Sequence, residues 1–225
     1  MATTAVESVV EAKRVLAAVA VTVEARADEL SALDAALGDG DHGVSLNIGW
    51  RAVMADLDGY DAPDVGALLQ GVGLTIVNSV GAALGPLYGT AFVRAGKAVA
   101  GKGTFDGADV AAMLEAARDG IVARGKAGAG DKTMLDAIMP AAEAARHAAG
   151  GGAGALETLQ AARDAAVTGA VSTRDMIARK GRASRLGERT LGHQDAGASS
   201  VALMLDAAVR ALDPTAPSET AAVPR

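Results

Sequence analysis

The chain has 225 residues, half of them hydrophobic, with no cysteine and a net charge of −6. It can bury a substantial core without staples, and a disulfide frame or a thiolate metal site is excluded, as is general nucleic-acid binding by an acidic chain with only 2% aromatic residues. The opening MATTAVESVVEAKRVLAAVA carries Glu7 and Glu11 and lacks signal-peptide order, and no run approaches the roughly 18 apolar residues of a membrane helix, so a soluble, cytoplasmic, single-domain protein is expected.

The composition is rich in alanine and poor in β-branched runs, which favours helix. Val6, Val9, Val10, Leu16 and Val19 form an apolar stripe on a first helix predicted over 5–24. Further helices are predicted over 27–37, 43–57, 64–83 and 87–101, with Asp64 at a helix start just after Pro63. Asp106 stands at the N-cap of a helix over 107–124, whose stripe is Val110, Met113, Leu114, Ala117 and Ile121. Asp131 takes the same place before a helix over 132–149, and another follows over 154–171. The last helix is predicted over 198–212, striped by Val201, Leu205, Ala208 and Leu212. No period-2 segment interrupts them. An all-α antiparallel bundle over residues 1–212 is expected, followed by a disordered tail, 213–225, with three prolines.

Three segments do not serve a bundle: Gly38-Asp-Gly-Asp-His-Gly43, Gly125-Lys-Ala-Gly-Ala-Gly-Asp131, and a long irregular stretch from about Ser172 to Ser199. Such segments in a regular helical protein are where function concentrates. Gly38, Gly40 and Gly43 match the dinucleotide fingerprint G-x-G-x-x-G, but a helix rather than a strand precedes them. Asp39 and Asp41 in the variable positions would repel a pyrophosphate unless a cation lay between. Gly96 to Gly103 nearly spells a P-loop, yet it ends in Gly103 where a serine or threonine should stand, and reads as a glycine-terminated helix and turn. An EF-hand counted from Asp39 reaches Trp50 where a closing carboxylate is required.

Asp34, Asp39 and Asp41 place three carboxylates across a helix end that unwinds through glycines. Carboxylates held this close repel one another unless a divalent cation neutralises them, and oxygen ligands select magnesium, manganese or calcium over zinc. His42, Gly43, Val44 and Ser45 follow as the first turn of the next helix, where free N–H groups attract phosphate. From spacing alone, an acidic solvated loop with ordinary helix capping is an equal reading. Arg174, Arg179, Lys180, Arg182, Arg185 and Arg189 form a basic strip that can close over phosphates, although a solvated surface loop is the plainer reading for most of them. His193 also reads as structural, and His147 as incidental.

The runs LDAALGDGDHG (33–43), GPLYGTAF (85–92), GDKTMLDAIMPA (130–141) and GRASRLGERTLGHQDAGASS (181–200) resemble, in the same order, the nucleotide-binding L subunit of dihydroxyacetone kinases. The resemblance covers roughly residues 5–212. It implies an eight-helix antiparallel barrel with a nucleotide, ADP or ATP, at one end. It implies that Asp34, Asp39 and Asp41 ligate two magnesium ions, and that His42, Gly43 and Ser45 touch phosphate. Gly125, Met134, Arg182, Asp195 and Gly197 match positions lining the adenosine, and Thr133 and Asp136 support the pocket. In the small-residue run before Gly85, Ala83 is followed by Leu84 where the family commonly has serine, and Ala196 replaces a usual proline.

The resemblance further implies a substrate-binding K subunit as partner, a phosphotransferase-system phosphocarrier M subunit when ADP serves as coenzyme, and assembly as a homodimer or hetero-oligomer. The alternatives are exchange of ATP as an ordinary substrate, a kinase for another small ketose such as erythrulose, a regulatory nucleotide-binding module, and the related domain of fatty-acid kinases. No nucleic-acid or membrane partner is expected.

Overall fold

Helix starts and stops follow local chemistry. In the computed structural model, which describes residues 5–217, nine α-helices and two 3-10 segments make up the regular structure and no strand occurs among the described residues. The α-helices are α1 (Ala5–Ala25), α2 (Ala27–Ala35), α3 (His42–Asp56), α4 (Val65–Ser79), α5 (Leu84–Ala98), α6 (Gly107–Gly125), α7 (Leu135–Gly150), α8 (Ala155–Ser172) and α9 (Ala196–Leu212). Asp64 caps α4 by accepting from the Ala67 N–H at 2.8 Å, and Asp106 caps α6 in a reciprocal box with Asp109.

The sequence expectation for α4 ran too far. Val80 turns extended and Ala82 is left-handed at φ 54°, so the alanine-rich run breaks and α5 begins at Leu84 rather than 87. Asp131 is not a helix cap either. Its carboxylate accepts from the Gly128 N–H, Lys132 is left-handed at φ 60°, and α7 starts three residues later. The stretch after Ser172 is less irregular than expected, holding 3-10 turns at Thr173–Asp175 and Arg182–Thr190, the second kinked at Gly187.

Neighbouring helices close a ring. α1 packs on α3, each helix from α3 to α8 packs on its successor, and α9 returns to α1, while short α2 fills the turn between α1 and α3. Eight helices thus form the expected barrel, and short connections between ring neighbours make them antiparallel. Leu16, Leu30, Leu46, Trp50, Leu68 and Leu203 are buried in its core, where Trp50 meets Phe92 edge-on at 5.7 Å. An apolar cavity of about 410 Å³ remains inside the ring, walled in part by Tyr88, Met134 and Trp50.

Alternation decides what gathers at one end. α3, α5, α7 and α9 occupy every second place in the ring, so their N-termini share one end of the barrel. Asp213 begins a turn by accepting from Thr215, and the Pro217 carbonyl accepts from Arg163 at 3.2 Å; the expected tail from 218 onward lies outside the described residues.

Candidate functional site

A cleft of about 410 Å³ opens at that end, and the first turns of all four helices border it. His42 and Ser45 come from α3, Ala83 and Leu84 from the start of α5, Thr133 and Met134 from the two residues leading into α7, and Asp195, Ala196 and Gly197 from the start of α9. Each helix start carries about half a unit of positive charge on unsatisfied N–H groups, so four around one cleft favour an anion.

Opposite stand the three aspartates. Asp34 lies in the last turn of α2, and its carboxylate accepts from the Asp41 N–H at 3.0 Å, folding the loop back on the helix. Gly38 makes room, since a Cβ there would lie 2.6 Å from Asp34 Oδ1, and Gly40 turns the chain at φ 76°. Asp34, Asp39 and Asp41 each offer an oxygen within 4.8 Å of the others. A convergent set of carboxylate oxygens with no sulfur or imidazole fits a hard divalent cation such as magnesium.

Arg182, from the second 3-10 turn, pairs with Asp39 and lies 4.0 Å from Asp41. Of the basic strip, only Arg182 and Lys180 line the cleft; Arg174, Arg179, Arg185 and Arg189 do not. Gly43, Val44 and Gly125 are also outside its lining. Gly43 is packed against the Ala27 carbonyl, the Val44 N–H donates to Ser31 Oγ at 3.2 Å, and Gly125 ends α6 in the open.

One wall is apolar, made by Leu33, Leu37, Leu84, Leu87 and Met134. Beneath the polar side, His42 Nε2 lies 2.9 Å from Ser200 Oγ, which also meets the Tyr88 hydroxyl at 2.6 Å. Burial pushes the His42 imidazole down to about 4, against the Asp34 carboxylate that pulls it up, so the ring is neutral at pH 7. Asp195 caps α9 through the Ala198 N–H at 2.7 Å. Burial pushes its carboxyl up to about 7, the cap bond opposing.

Asp136, at the second residue of α7, clamps the loop before it, accepting from the Gly130 and Thr133 N–H groups. Tyr88, Lys132 and Ser200 were assigned no role from the sequence, although each sits inside a matched run. Tyr88 is one of only two tyrosines in the chain, which was the available signal.

Comparison with known proteins bears on this geometry. Residues 36–210 match the DAK2 domain. The Escherichia coli protein named PEP-dependent dihydroxyacetone kinase, ADP-binding subunit DhaL, is 42% identical over 176 residues, covering 78% of this chain and 84% of that protein. A Listeria innocua counterpart, named for kinase 2, is 41% identical over 186 residues, covering 82% and 86%. The crystal structure of the dihydroxyacetone kinase from C. freundii in complex with AMP-PNP and Mg2+ superposes with a TM-score of 0.66 at 25% identity, covering 92% of this chain and 34% of that one.

Proposed function

The chain belongs to the DAK2 domain family, and from that premise we propose that it is the ADP-binding subunit of a dihydroxyacetone kinase, an enzyme that transfers a phosphoryl group to dihydroxyacetone held on a separate K subunit. The observation that carries this reading is the convergence of Asp34, Asp39 and Asp41 with Arg182 at a cleft ringed by four helix starts. It joins a hard-cation site to an anion site, the combination a metal–nucleotide complex requires.

Asp34, Asp39 and Asp41 would hold two magnesium ions, which neutralise the charge spread over the transferring phosphoryl group. Ser45 and the first turns of α3 and α9 face the phosphate chain. Neutral His42, held by Ser200, adds a hydrogen-bonding group without adding positive charge. Leu84, Leu87 and Met134 offer an apolar surface for the adenine ring, and Thr133 with Gly197 edges it. At Leu84, where serine is usual, a hydroxyl contact to phosphate gives way to apolar surface. Arg182 is the cation positioned to reach the transferred group.

We take the donor to be phosphoenolpyruvate, relayed through a phosphocarrier M subunit to ADP that stays bound as a coenzyme. The Escherichia coli and Listeria innocua relatives, at 42% and 41% identity, both carry that dependence in their names. The proposed setting is the cytoplasm, in a complex with the K subunit, as a homodimer or hetero-oligomer. Among the described residues no helix is long and apolar enough to cross a membrane.

The test starts with denatured protein, from which one equivalent of ADP per chain should be released. Native protein is then mixed with a dihydroxyacetone-binding subunit and given either ATP or a phosphoenolpyruvate-charged phosphocarrier. Turnover with the carrier alone is expected. Turnover with ATP alone would move the chain to the ATP-dependent kinases, and binding of nucleotide without turnover in either arm would make it a regulatory module.

A further inference from the structure

The segment from Thr173 to His193 is tied down at two points of different kinds. The first is Lys132, whose side chain is buried in the fold. Its Nζ lies within hydrogen-bond distance of four carbonyl oxygens: Thr173 at 2.8 Å, Met176 at 3.1 Å, Thr190 at 2.5 Å and His193 at 2.6 Å. Those carbonyls come from the two ends of the segment, so one ammonium gathers it into a strap around a single point. Neighbouring bonds close the same knot: Gly192 donates to the Arg174 carbonyl at 2.8 Å, Arg179 to the Asp131 carbonyl at 3.0 Å, and Ala178 to Thr190 Oγ1 at 3.0 Å.

The second point is Arg182, near the middle of the strap, on Asp39 and Asp41. This contact is on the surface, with 62% of the Arg182 side chain exposed. It falls on two of the three carboxylates that form the cation cluster. A guanidinium and a divalent cation therefore compete for the same two carboxylates. One hold is internal and uses only backbone acceptors. The other is exposed and shares its acceptors with a ligand.

We propose that Arg182 is the resident counter-cation of the aspartate cluster, that Lys132 is the positioning residue that keeps it there, and that an arriving divalent cation displaces Arg182 and frees it for phosphate. The strap is thereby latched over the site until metal comes, and Lys132 acts on the cluster only through Arg182. This rests on the aspartates being a metal site, but not on which nucleotide or acceptor is used.

The experiment measures Mn2+ binding to nucleotide-free protein by electron paramagnetic resonance, in wild type, Arg182→Gln, Lys132→Met and the double variant. Removing the competitor should tighten Mn2+ binding in Arg182→Gln about two- to fivefold, the scale of an exposed ion pair. Lys132→Met should tighten it too, and the double variant should match Arg182→Gln, because the two residues act in series. Trypsin should cut Lys132→Met within Arg179–Arg189 about tenfold faster than wild type, as expected when a local segment opens. A merely structural Lys132 would shift stability without this non-additive pattern. Equal Mn2+ affinity in wild type and Arg182→Gln overturns the latch while leaving the metal site intact. Should Lys132→Met fail to fold, the Arg182→Gln arm still decides the displacement. Absence of Mn2+ binding from every protein overturns the metal reading and the latch together.

Discussion

His42 and Ser200, 158 positions apart in the sequence, meet at 2.9 Å between Nε2 and Oγ, joining the first turn of α3 to the first turn of α9. The same hydroxyl meets Tyr88 and donates to the Gly197 carbonyl at 2.9 Å. One serine therefore ties three of the four helix starts around the cleft. Ser200→Ala strips a partner from a part-buried ring nitrogen at the cleft and from a buried phenol. The orphaned phenol costs about 1–3 kcal/mol, whereas His42 at the cleft can turn to water, so urea unfolding of the nucleotide-free protein should record a loss in that range. An unchanged midpoint would mean that the hydroxyl holds nothing.

Asp39 is the clearest test of the cation cluster, because it is exposed and its carboxylate pairs with Arg182 on the surface. Asp39→Asn removes one of three mutually repelling charges and an exposed ion pair to Arg182, which alone is worth about 0–1 kcal/mol. The melting temperature without metal should therefore stay the same or rise slightly. Affinity for Mg-ADP, read by calorimetry, should drop by at least 10- to 100-fold, roughly the range seen even for residues that only support a metal ligand. Unchanged Mg-ADP affinity would sink the assignment.

The helices were legible because their signals are local. Stripes such as Val110, Met113, Leu114, Ala117 and Ile121, and caps such as Asp64 and Asp106, lie within one or two turns of the feature they mark. The break after α4 was hidden because Gly81-Ala82-Ala83 is as compatible with helix as with the left-handed turn found at Ala82. The aspartates stood out because charge and glycine coincide in a few residues. Lys132 did not, since a lysine in a glycine-rich loop reads as solvated, and the carbonyls that bury it lie 41 to 61 residues away. Ser200 was invisible for the same reason.

Gly43, expected to touch phosphate, lies outside the cleft lining and packs against α2 instead. As a member of the DGDHG run it matches a phosphate-contacting turn, yet a Cβ there would lie 1.8 Å from the Ala27 carbonyl oxygen. That contact sets how closely α3 approaches α2, and so where Asp41 sits relative to Asp34. Gly43→Ala should cost about 1–3 kcal/mol as an overpacking change and weaken Mg-ADP binding with it. Gly128→Ala, where a Cβ meets nothing within 4 Å, is the control. If thermal melts of the two variants coincide, α2 and α3 are not in contact as described.

Asp195 makes the stability of the nucleotide-free protein depend on pH. Its carboxyl is raised to about 7 in the fold from an ordinary 3.8, first by burial and further by the Asp136 carboxylate, with the Ala198 N–H opposing. A raised acid favours the protonated fold. Its stabilising contribution is complete below pH 3.8, falls as the unfolded chain ionises while the folded one does not, and is gone once pH passes about 7. Asn in this position keeps an oxygen for the Ala198 N–H, so α9 stays capped, and removes the titration. Melting temperatures of wild type and Asp195→Asn in chelator should therefore diverge steadily from pH 4 to pH 7, with the variant gaining, and run parallel above. Because every other carboxyl titrates in both proteins, the difference between the two curves isolates this one, and a difference that is flat across that interval would show that Asp195 is ionised throughout.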